Sequence, residues 1–436
     1  MTGGGQTSDG GSEARVAVVG SGLAGLAAAW LLGRDRPVVL YEAHPTVGMG
    51  AHSVRVEGAS GPVAVDMPLR VFTPGYYPTL LSLFEHVGIR TETVDYAASF
   101  SELAGSTYFR YVNLRVAGRS LPIPSPAAAS STTGRRIVRD LIRFHRQAPG
   151  HLRAGCLSGR TIGQYLEDEG FSTDFIERFV LPAYASICTC RTETARHYPA
   201  EVVVEYMCSG VVTLGVQRAA RGTADVGRRL TAPVDEMRLG EPVRRVIPED
   251  DRVEVVSASG RSDRFDQVVL AVRADQAADL LPDDRELGRI LRRVPHESSR
   301  VVVHRDPRLA PRDRRAWSPV NFVVDPDGDA PMATIWLDRV QPGLGTGPAL
   351  FQTWNPVREP DPDTVVAEAR FVRPVVELET REVPGLLTGL KGDPHRRIWP
   401  VGSYARAGIP LLEAAAASAV QVARHLGATI PFPTEA

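Results

Sequence analysis

Lysine is almost absent from this chain of 436 residues: of 50 basic side chains all but Lys391 are arginine. Any chemistry that requires a lysine must use Lys391 or is excluded. Cysteine is also scarce, with Cys156, Cys188, Cys190 and Cys208. The pair in Cys188-Thr-Cys190 is too close for an ordinary disulfide and lacks the two-residue spacing of a zinc hook, so buried thiols and no metal site are expected. No apolar run reaches the roughly 18 residues needed to span a bilayer. Residues 1–14 are polar with no apolar core, which reads as a disordered lead and not as a signal peptide; a cytoplasmic protein is expected. The formal net charge of -1 offers no global field for nucleic acid. What remains is an ordinary soluble composition, 43% apolar and 23% charged. At roughly 100–200 residues per domain the length suggests two or three domains.

The most specific signal opens the chain. Val16-Ala-Val-Val19 is a short apolar run of the kind that forms a buried parallel strand. Gly20-Ser-Gly22-Leu-Ala-Gly25 follows, then an Ala/Leu-rich helical stretch to Leu32, then a second apolar strand, Val38-Val-Leu-Tyr41, ending at Glu42. A G-x-G-x-x-G between strand and helix, with an acidic residue ending the next strand, is a dinucleotide-binding fingerprint. Gly20 allows the tight turn, Gly22 lets the backbone approach a pyrophosphate, and Gly25 lets helix and strand pack closely. Free N–H groups at the helix start would hold phosphate charge, and Glu42 would accept from a ribose 2′-hydroxyl while repelling a 2′-phosphate.

The next loop, His44-Pro-Thr-Val-Gly-Met-Gly-Ala-His-Ser53, carries a second set of glycines. Here the sequence resembles the flavin-containing amine oxidase and phytoene desaturase superfamily, in which a Gly-Gly-Arg or Gly-Gly-His segment lies under the pyrophosphate. Gly48, Gly50 and His52 are the nearest equivalents, with Met49 interrupting the pair. The resemblance implies that His52 touches the phosphates or carries a covalent flavin link; an ordinary loop histidine is the alternative. The chain closes similarly. Pro400-Val-Gly-Ser-Tyr404 leads to Leu411-Leu-Glu-Ala-Ala-Ala-Ala-Ser-Ala419, like the family's strand, glycine and Glu-Gly-Ala-x-x-Ser-Gly helix, with Ala414 and Ala419 in place of glycines. A helix start aimed at the flavin pyrimidine would stabilise the charge that builds there on reduction. Arg221-Gly222 and the strand ending at Ala271 are similar to a third cofactor segment, with Val243 on the adenine side. Val65-Asp-Met-Pro-Leu-Arg-Val-Phe72 and Leu181-Pro182 match further blocks of the branch described as amine oxidoreductases.

The resemblance implies an α/β fold: a discontinuous Rossmann-like FAD-binding domain in residues 15–75, 215–288 and 390–428, and an inserted α+β substrate domain in 76–214 and 289–389. FAD is the implied cofactor. The expected contacts are Gly20, Ser21, Gly22, Leu23, Ala24, Gly25, Glu42, Ala43, Gly50, Ala51, His52, Val243, Gly402, Ser403, Leu412 and Glu413.

A flavin beside an apolar substrate domain takes a hydride from a small molecule, and the readings compete. One is carbon–carbon desaturation or double-bond isomerisation of an apolar, lipid-like or polyene-like metabolite. A second is amine oxidation. Many amine oxidases of this superfamily place a lysine near flavin N5 from a substrate-domain strand; Lys391, in the turn-like Gly389-Leu-Lys-Gly-Asp393, does not match and reads as a solvated loop residue. A third reading is a non-catalytic flavin-binding scaffold. Arg70 and Tyr404 are the weak catalytic candidates, Arg70 for an anionic substrate group or the flavin dipole and Tyr404 for the flavin face. His197, Trp336 and Trp354 are candidate cavity residues. Residues 135–146 place Ile137, Val138, Leu141 and Ile142 on one helical face with arginines opposite, either a helix packed on its own domain or a membrane-surface contact.

Overall fold

All four residues of Val16–Val19 and all five of Val38–Glu42 are buried. Their side chains alternate between two cores: Val16, Val18, Val38 and Leu40 join one, Ala17, Val19, Val39 and Tyr41 the other. That is the mark of a parallel sheet covered on both faces. The computed structural model describes residues 14–434 apart from 51, 104, 117, 212, 326–329 and 345–346. In it these strands form the centre of a five-stranded parallel sheet, in the order Glu236–Leu239, Val38–Glu42, Val16–Val19, Gln267–Leu270, Ile398–Pro400. The strands come from three separated stretches of chain, and the chain leaves the sheet between them. Helix Leu23–Leu32 is apolar all round and buried at every position. It packs on the closing helix Leu412–His425, whose Ala416, Ala419 and Ala423 are fully buried. Alanines at this crossing let the two backbones approach closely.

Val243, expected on the adenine side, opens a strand outside the parallel sheet. Val243–Pro248 leaves the parallel sheet and opens a three-stranded antiparallel sheet with Val253–Ser257 and Ser262–Phe265. The other large unit is a mixed eight-stranded sheet. Its order is Val365–Pro374, His296–His304, Phe351–Trp354, Met332–Trp336, Val320–Val324, Ala98–Glu102, Thr107–Val116, Arg119–Pro124. Period-two alternation divides its faces. Ala98, Phe100, Val320, Phe322, Ala333, Ile335 and Trp354 belong to one apolar cluster. Helices Thr132–Arg153, Leu181–Cys188 and Ala200–Cys208 cover that side.

Two expectations need correction. Helix Thr132–Arg153 is longer than residues 135–146 and runs through Pro149. Ile142 does not share the packed face, because five residues at 100° each place it about 140° from Ile137. Ile137 is fully buried, Ile142 is half exposed, and buried Asp140 takes the place on the packed face, held by Ser172 N–H and Oγ–H at 2.9 and 2.5 Å. Of the cysteines, Cys188 and Cys190 are buried, but Cys156 stands exposed in a loop. Among the described residues no helix is long and apolar enough to cross a membrane.

The far face of the eight-stranded sheet carries a buried polar relay. His304 Nδ1 accepts from Asp306 N–H at 3.1 Å, which leaves Nε2 as the donor to Thr353 Oγ1 at 2.7 Å. Thr353 meets Thr334 at 2.9 Å, and Thr334 donates to the Leu309 carbonyl. Burial, above all, depresses the His304 pKa to about 4. A depressed histidine stabilises the fold fully above the unfolded pKa of about 6.5 and loses that contribution as pH falls toward 4. Stability should therefore drop by about 3 kcal/mol between those pH values from this group. Denaturant unfolding of the protein and of His304→Gln checks it: the variant should lack that part of the pH dependence.

Candidate functional site

The parallel sheet defines a crevice. From Val16–Val19 the next strand in sequence lies on one side and Gln267–Leu270 on the other, so the strand order reverses at its carboxyl end. Ligands bind open α/β sheets at such a switch point. Three glycines shape it for three different reasons. Gly20 has φ +100°, and a Cβ there would lie 2.7 Å from the Ala271 carbonyl oxygen. A Cβ on Gly25 would lie 1.9 Å from the Gly20 oxygen. Gly22 has an ordinary φ of -66° and nothing within 4 Å of where a Cβ would be. Neither strain nor crowding within the protein requires glycine at 22, and the space beside that backbone is open. The helix that begins at Leu23 has no side-chain cap, so the N–H groups of its first turn, including those of Leu23, Ala24 and Gly25, point at the same place without intrahelical partners.

Glu42 ties the crevice together. Its Oε2 accepts from Ser21 N–H at 3.0 Å and from Ser21 Oγ–H at 2.5 Å, and Oε1 accepts from His44 N–H at 2.9 Å. Ser21 Oγ in turn accepts from Gly48 N–H at 2.6 Å. A Cβ on Gly48 would come within 2.9 Å of the Glu42 carboxylate, so the second glycine loop must close on the first without a side chain between. Gly50 ends a short turn, Gly48–Gly50; Ala43 is exposed beside Glu42; Ala51 lies outside the described residues. The loop before Val243 is pinned to the same corner by Gly240 N–H to the His44 carbonyl and Glu241 N–H to the Glu42 carbonyl. His52 packs edge-on against His44 and Phe371 at 5.5 and 5.1 Å between ring centroids. Burial first, then the charges of His44 and Arg70, lower its pKa and favour the neutral ring.

At the carboxyl end Gly402 N–H donates to Ser418 Oγ at 3.0 Å, which fastens the Gly402-Ser403 turn to the closing helix. That helix starts at Leu412 without a side-chain cap. The Glu413 carboxylate serves another purpose: it accepts from Thr79 and Leu80 N–H groups at 3.0 Å each and caps helix Pro78–Val87.

An apolar cavity of about 540 Å³ lies between the apolar face of the eight-stranded sheet and the helices over it. This is within the roughly 300–1,000 Å³ of small-molecule sites. Phe100, Phe322, Trp354, Phe179 and Ile335 form its walls, and Tyr77, Leu411 and Leu412 close the end toward the crevice. Two guanidiniums interrupt the apolar lining, Arg70 and Arg373. Neither forms an ion pair or hydrogen bond among the described residues, whereas 31 ion pairs hold other charged groups. Burial, then the charge of Arg373, pushes Arg70 down to about 9; burial lowers Arg373 as well. Both remain cationic at neutral pH. Arg373 lies 5.1 Å over the Trp354 ring, which positions it without neutralising it.

The other candidates separate. Tyr404 does not share this cavity: its ring covers Gly402, it packs with Val294 and Val383, and it lines a different recess of about 320 Å³. Its buried hydroxyl has no partner among the described residues, and burial raises its pKa far above the usual value. His197 is exposed at the end of helix Thr192–His197, and Trp336 packs on Trp317 away from the cavity; only Trp354 of that trio lines it. Lys391 is half-buried in a third recess with Trp399 and His425, where burial pulls it to about 8; it is not freely solvated and does not reach the cavity. Arg373 escaped the sequence reading. Arg370 and Arg373 stand on one strand, and only the pairing of that strand reveals which one faces inward.

The arrangement fits a dinucleotide with a flavin end: a glycine-lined turn with free N–H groups for the pyrophosphate, an acidic residue for the ribose, and an uncapped helix where the crevice meets an apolar cavity. Residues 23–315 match the family model described as flavin containing amine oxidoreductase. No curated protein matches the chain. Among solved structures, a CLA-producing fatty acid isomerase from P. acnes matches with a TM-score of 0.67 and 16% identity, over 95% of this chain and 99% of that one. Putrescine oxidase bound to putrescine matches with a TM-score of 0.62 and 15% identity, over 95% and 98%. Cyclohexylamine oxidase from Brevibacterium oxydans IH-35A matches with a TM-score of 0.57 and 15% identity, over 95% and 100%. At these identities the likeness is one of fold.

The glycine geometry separates cofactor binding from folding. Gly22→Ala should leave the stability of the apoprotein within about 0.5 kcal/mol, since its Cβ meets nothing. Its affinity for FAD should fall at least about tenfold, because the methyl group would occupy the space of the pyrophosphate. Gly25→Ala should lower both. Flavin titration alongside thermal unfolding of apoprotein tests this, and a Gly22→Ala protein that binds FAD as tightly as the parent would refute the placement.

Proposed function

The chain belongs to the flavin containing amine oxidoreductases and is an FAD-dependent oxidoreductase, and on that premise we propose that it desaturates or isomerises a small, largely apolar substrate that carries an anionic group. The observation that carries this reading is the cavity of about 540 Å³ whose apolar wall is broken by the unpaired cations Arg70 and Arg373. When bound, FAD supplies a two-electron acceptor at the crevice end of the cavity. The protein supplies the rest. The aromatic walls exclude water and align an extended apolar chain. Arg70 and Arg373 take a carboxylate or a similar anion, which relieves their mutual repulsion and replaces lost hydration with charge-assisted hydrogen bonds. The first-turn N–H groups of the helix at Leu412 would favour negative charge on a flavin ring held there.

Amine oxidation is a poorer fit. An ammonium substrate would face two guanidiniums and no carboxylate in the lining. The chain's single lysine stands in another recess.

Replacing Arg70 or Arg373 by Met should raise KM for an unsaturated carboxylic acid by about 10- to 100-fold, the effect of removing a charged hydrogen-bond partner. KM for the corresponding methyl ester should change little. The check is anaerobic flavin bleaching and product analysis with acid, ester and amine panels. Reduction by amines alone, with acids inert, would overturn the reading. Acid precipitation of the holoprotein tests the flavin linkage: yellow supernatant means noncovalent FAD, and a yellow pellet directs mutation to His52.

A further inference from the structure

Thr107–Val116 and Arg119–Pro124 form a hairpin at the outer edge of the eight-stranded sheet. Its two faces have different surroundings. Tyr111, Pro122 and Pro124 look into the large cavity. On the opposite face Val112 stands across from Ile123 and Leu114 across from Leu121. These four and Val116 leave 45, 43, 53, 40 and 48% of their surfaces in solvent. Ile142, 54% exposed, stands on the cavity rim, and Leu214 follows Thr213, whose carbonyl accepts from Ser120 of the hairpin. Seven of the eleven large hydrophobic side chains exposed in the described structure therefore stand on this hairpin or on segments beside it. Scattered exposed hydrophobics need no explanation, but a contiguous apolar patch marks an interaction surface.

The charge around the patch says what kind of surface it meets. Between Thr107 and Arg153 stand nine arginines and a single acidic residue, the buried Asp140, and beside the hairpin Asp95 accepts from Asn113 at 3.1 Å. Arg115, Arg119, Arg135 and Arg146 are exposed and form no ion pair among the described residues. Two such faces brought together would repel, which disfavours a second copy of the chain. Pro122 and Pro124 remove N–H donors from the edge strand, so a partner cannot extend the sheet by strand addition. An apolar strip flanked by arginines suits the boundary between anionic head groups and acyl chains.

We propose that this hairpin docks on an anionic lipid bilayer, its outer apolar face set into the interfacial layer and the arginines on the head groups. The contact lies on the hairpin; helix Thr132–Arg153 adds only Ile142 and basic side chains. The proposal stands whichever bond the enzyme oxidises. Flotation of the FAD-loaded protein with vesicles of equal parts phosphatidylcholine and phosphatidylglycerol tests it. The parent protein should float at low salt, and raised salt should weaken the binding. The double variant Leu114→Glu with Leu121→Glu should lose at least about tenfold in partitioning, since two apolar side chains no longer enter the lipid. Its flavin spectrum and thermal unfolding should match the parent, because both positions are exposed. A parent protein that stays with the dense fraction at low salt overturns the proposal, as does a variant that floats equally well. A dimer that the same variant dissociates, with no flotation by either protein, would assign the face to a second copy and overturn it too.

Discussion

The contact between the Gly20 carbonyl and the backbone at Gly25 sets the geometry on which the site depends. With 1.9 Å between that oxygen and any Cβ at 25, only glycine lets the opening helix begin so close to the strand it leaves. The helix then lies where its alanines meet those of the closing helix. That crossing places the start of the closing helix at Leu412, between the crevice and the large cavity. Glu42 adds a second tie by holding Ser21, which in turn holds Gly48. Two glycine loops far apart in role are thus drawn into one pocket by a single buried carboxylate.

The large cavity has the opposite economy of interactions. Many arginines of this chain are held by carboxylates or carbonyls, yet Arg70 and Arg373 line an apolar cavity and form no ion pair or hydrogen bond among the described residues. Two neighbouring cations, with only the more distant carboxylate of Asp66 acting on Arg70, destabilise an empty site, and an anion that enters relieves the repulsion. A fold keeps such an arrangement only where a ligand completes it or the surrounding structure outweighs its cost. The strand that carries Arg373 also carries Phe371, which packs on His52. The cation and the cofactor loop are in this way coupled through one stretch of sheet.

The eight-stranded sheet separates polar from apolar functions by its pleat. Residues at one phase line the cavity, while Ser99, Asn321, Thr334, Thr353 and His304 at the other form a buried network that fixes the segment behind them. Directional hydrogen bonds on one side hold the strands in register, so the apolar walls on the other side keep their positions. At the sheet's edge the same alternation continues past the point where the protein can cover both faces, and leaves the hairpin's outer face bare.

Local signals sufficed for the cofactor crevice. Val16–Glu42 reads as strand, glycine turn, helix and strand because each step depends on residues close in sequence: apolar runs, a φ only glycine adopts, an acidic strand end. The closing helix was legible for the same reason. The lining of the cavity was not. Arg70 and Arg373 are 303 positions apart, and their meeting depends on strand pairing that no local pattern encodes. The phase of a helix can mislead in the same way: Ile142 belongs to the rim and not to the packed face, and Asp140 is buried because Ser172 and Arg139 meet it there. Glu413 and Tyr404 sit in cofactor-type motifs, yet their side chains serve a distant helix and a neighbouring core. Sequence alone determined the strand, glycine-turn and helix conformations of the crevice, because those are set by local sterics. Tertiary structure decided which charges stand unpaired beside that site, because burial and pairing depend on what the rest of the chain brings to the same place.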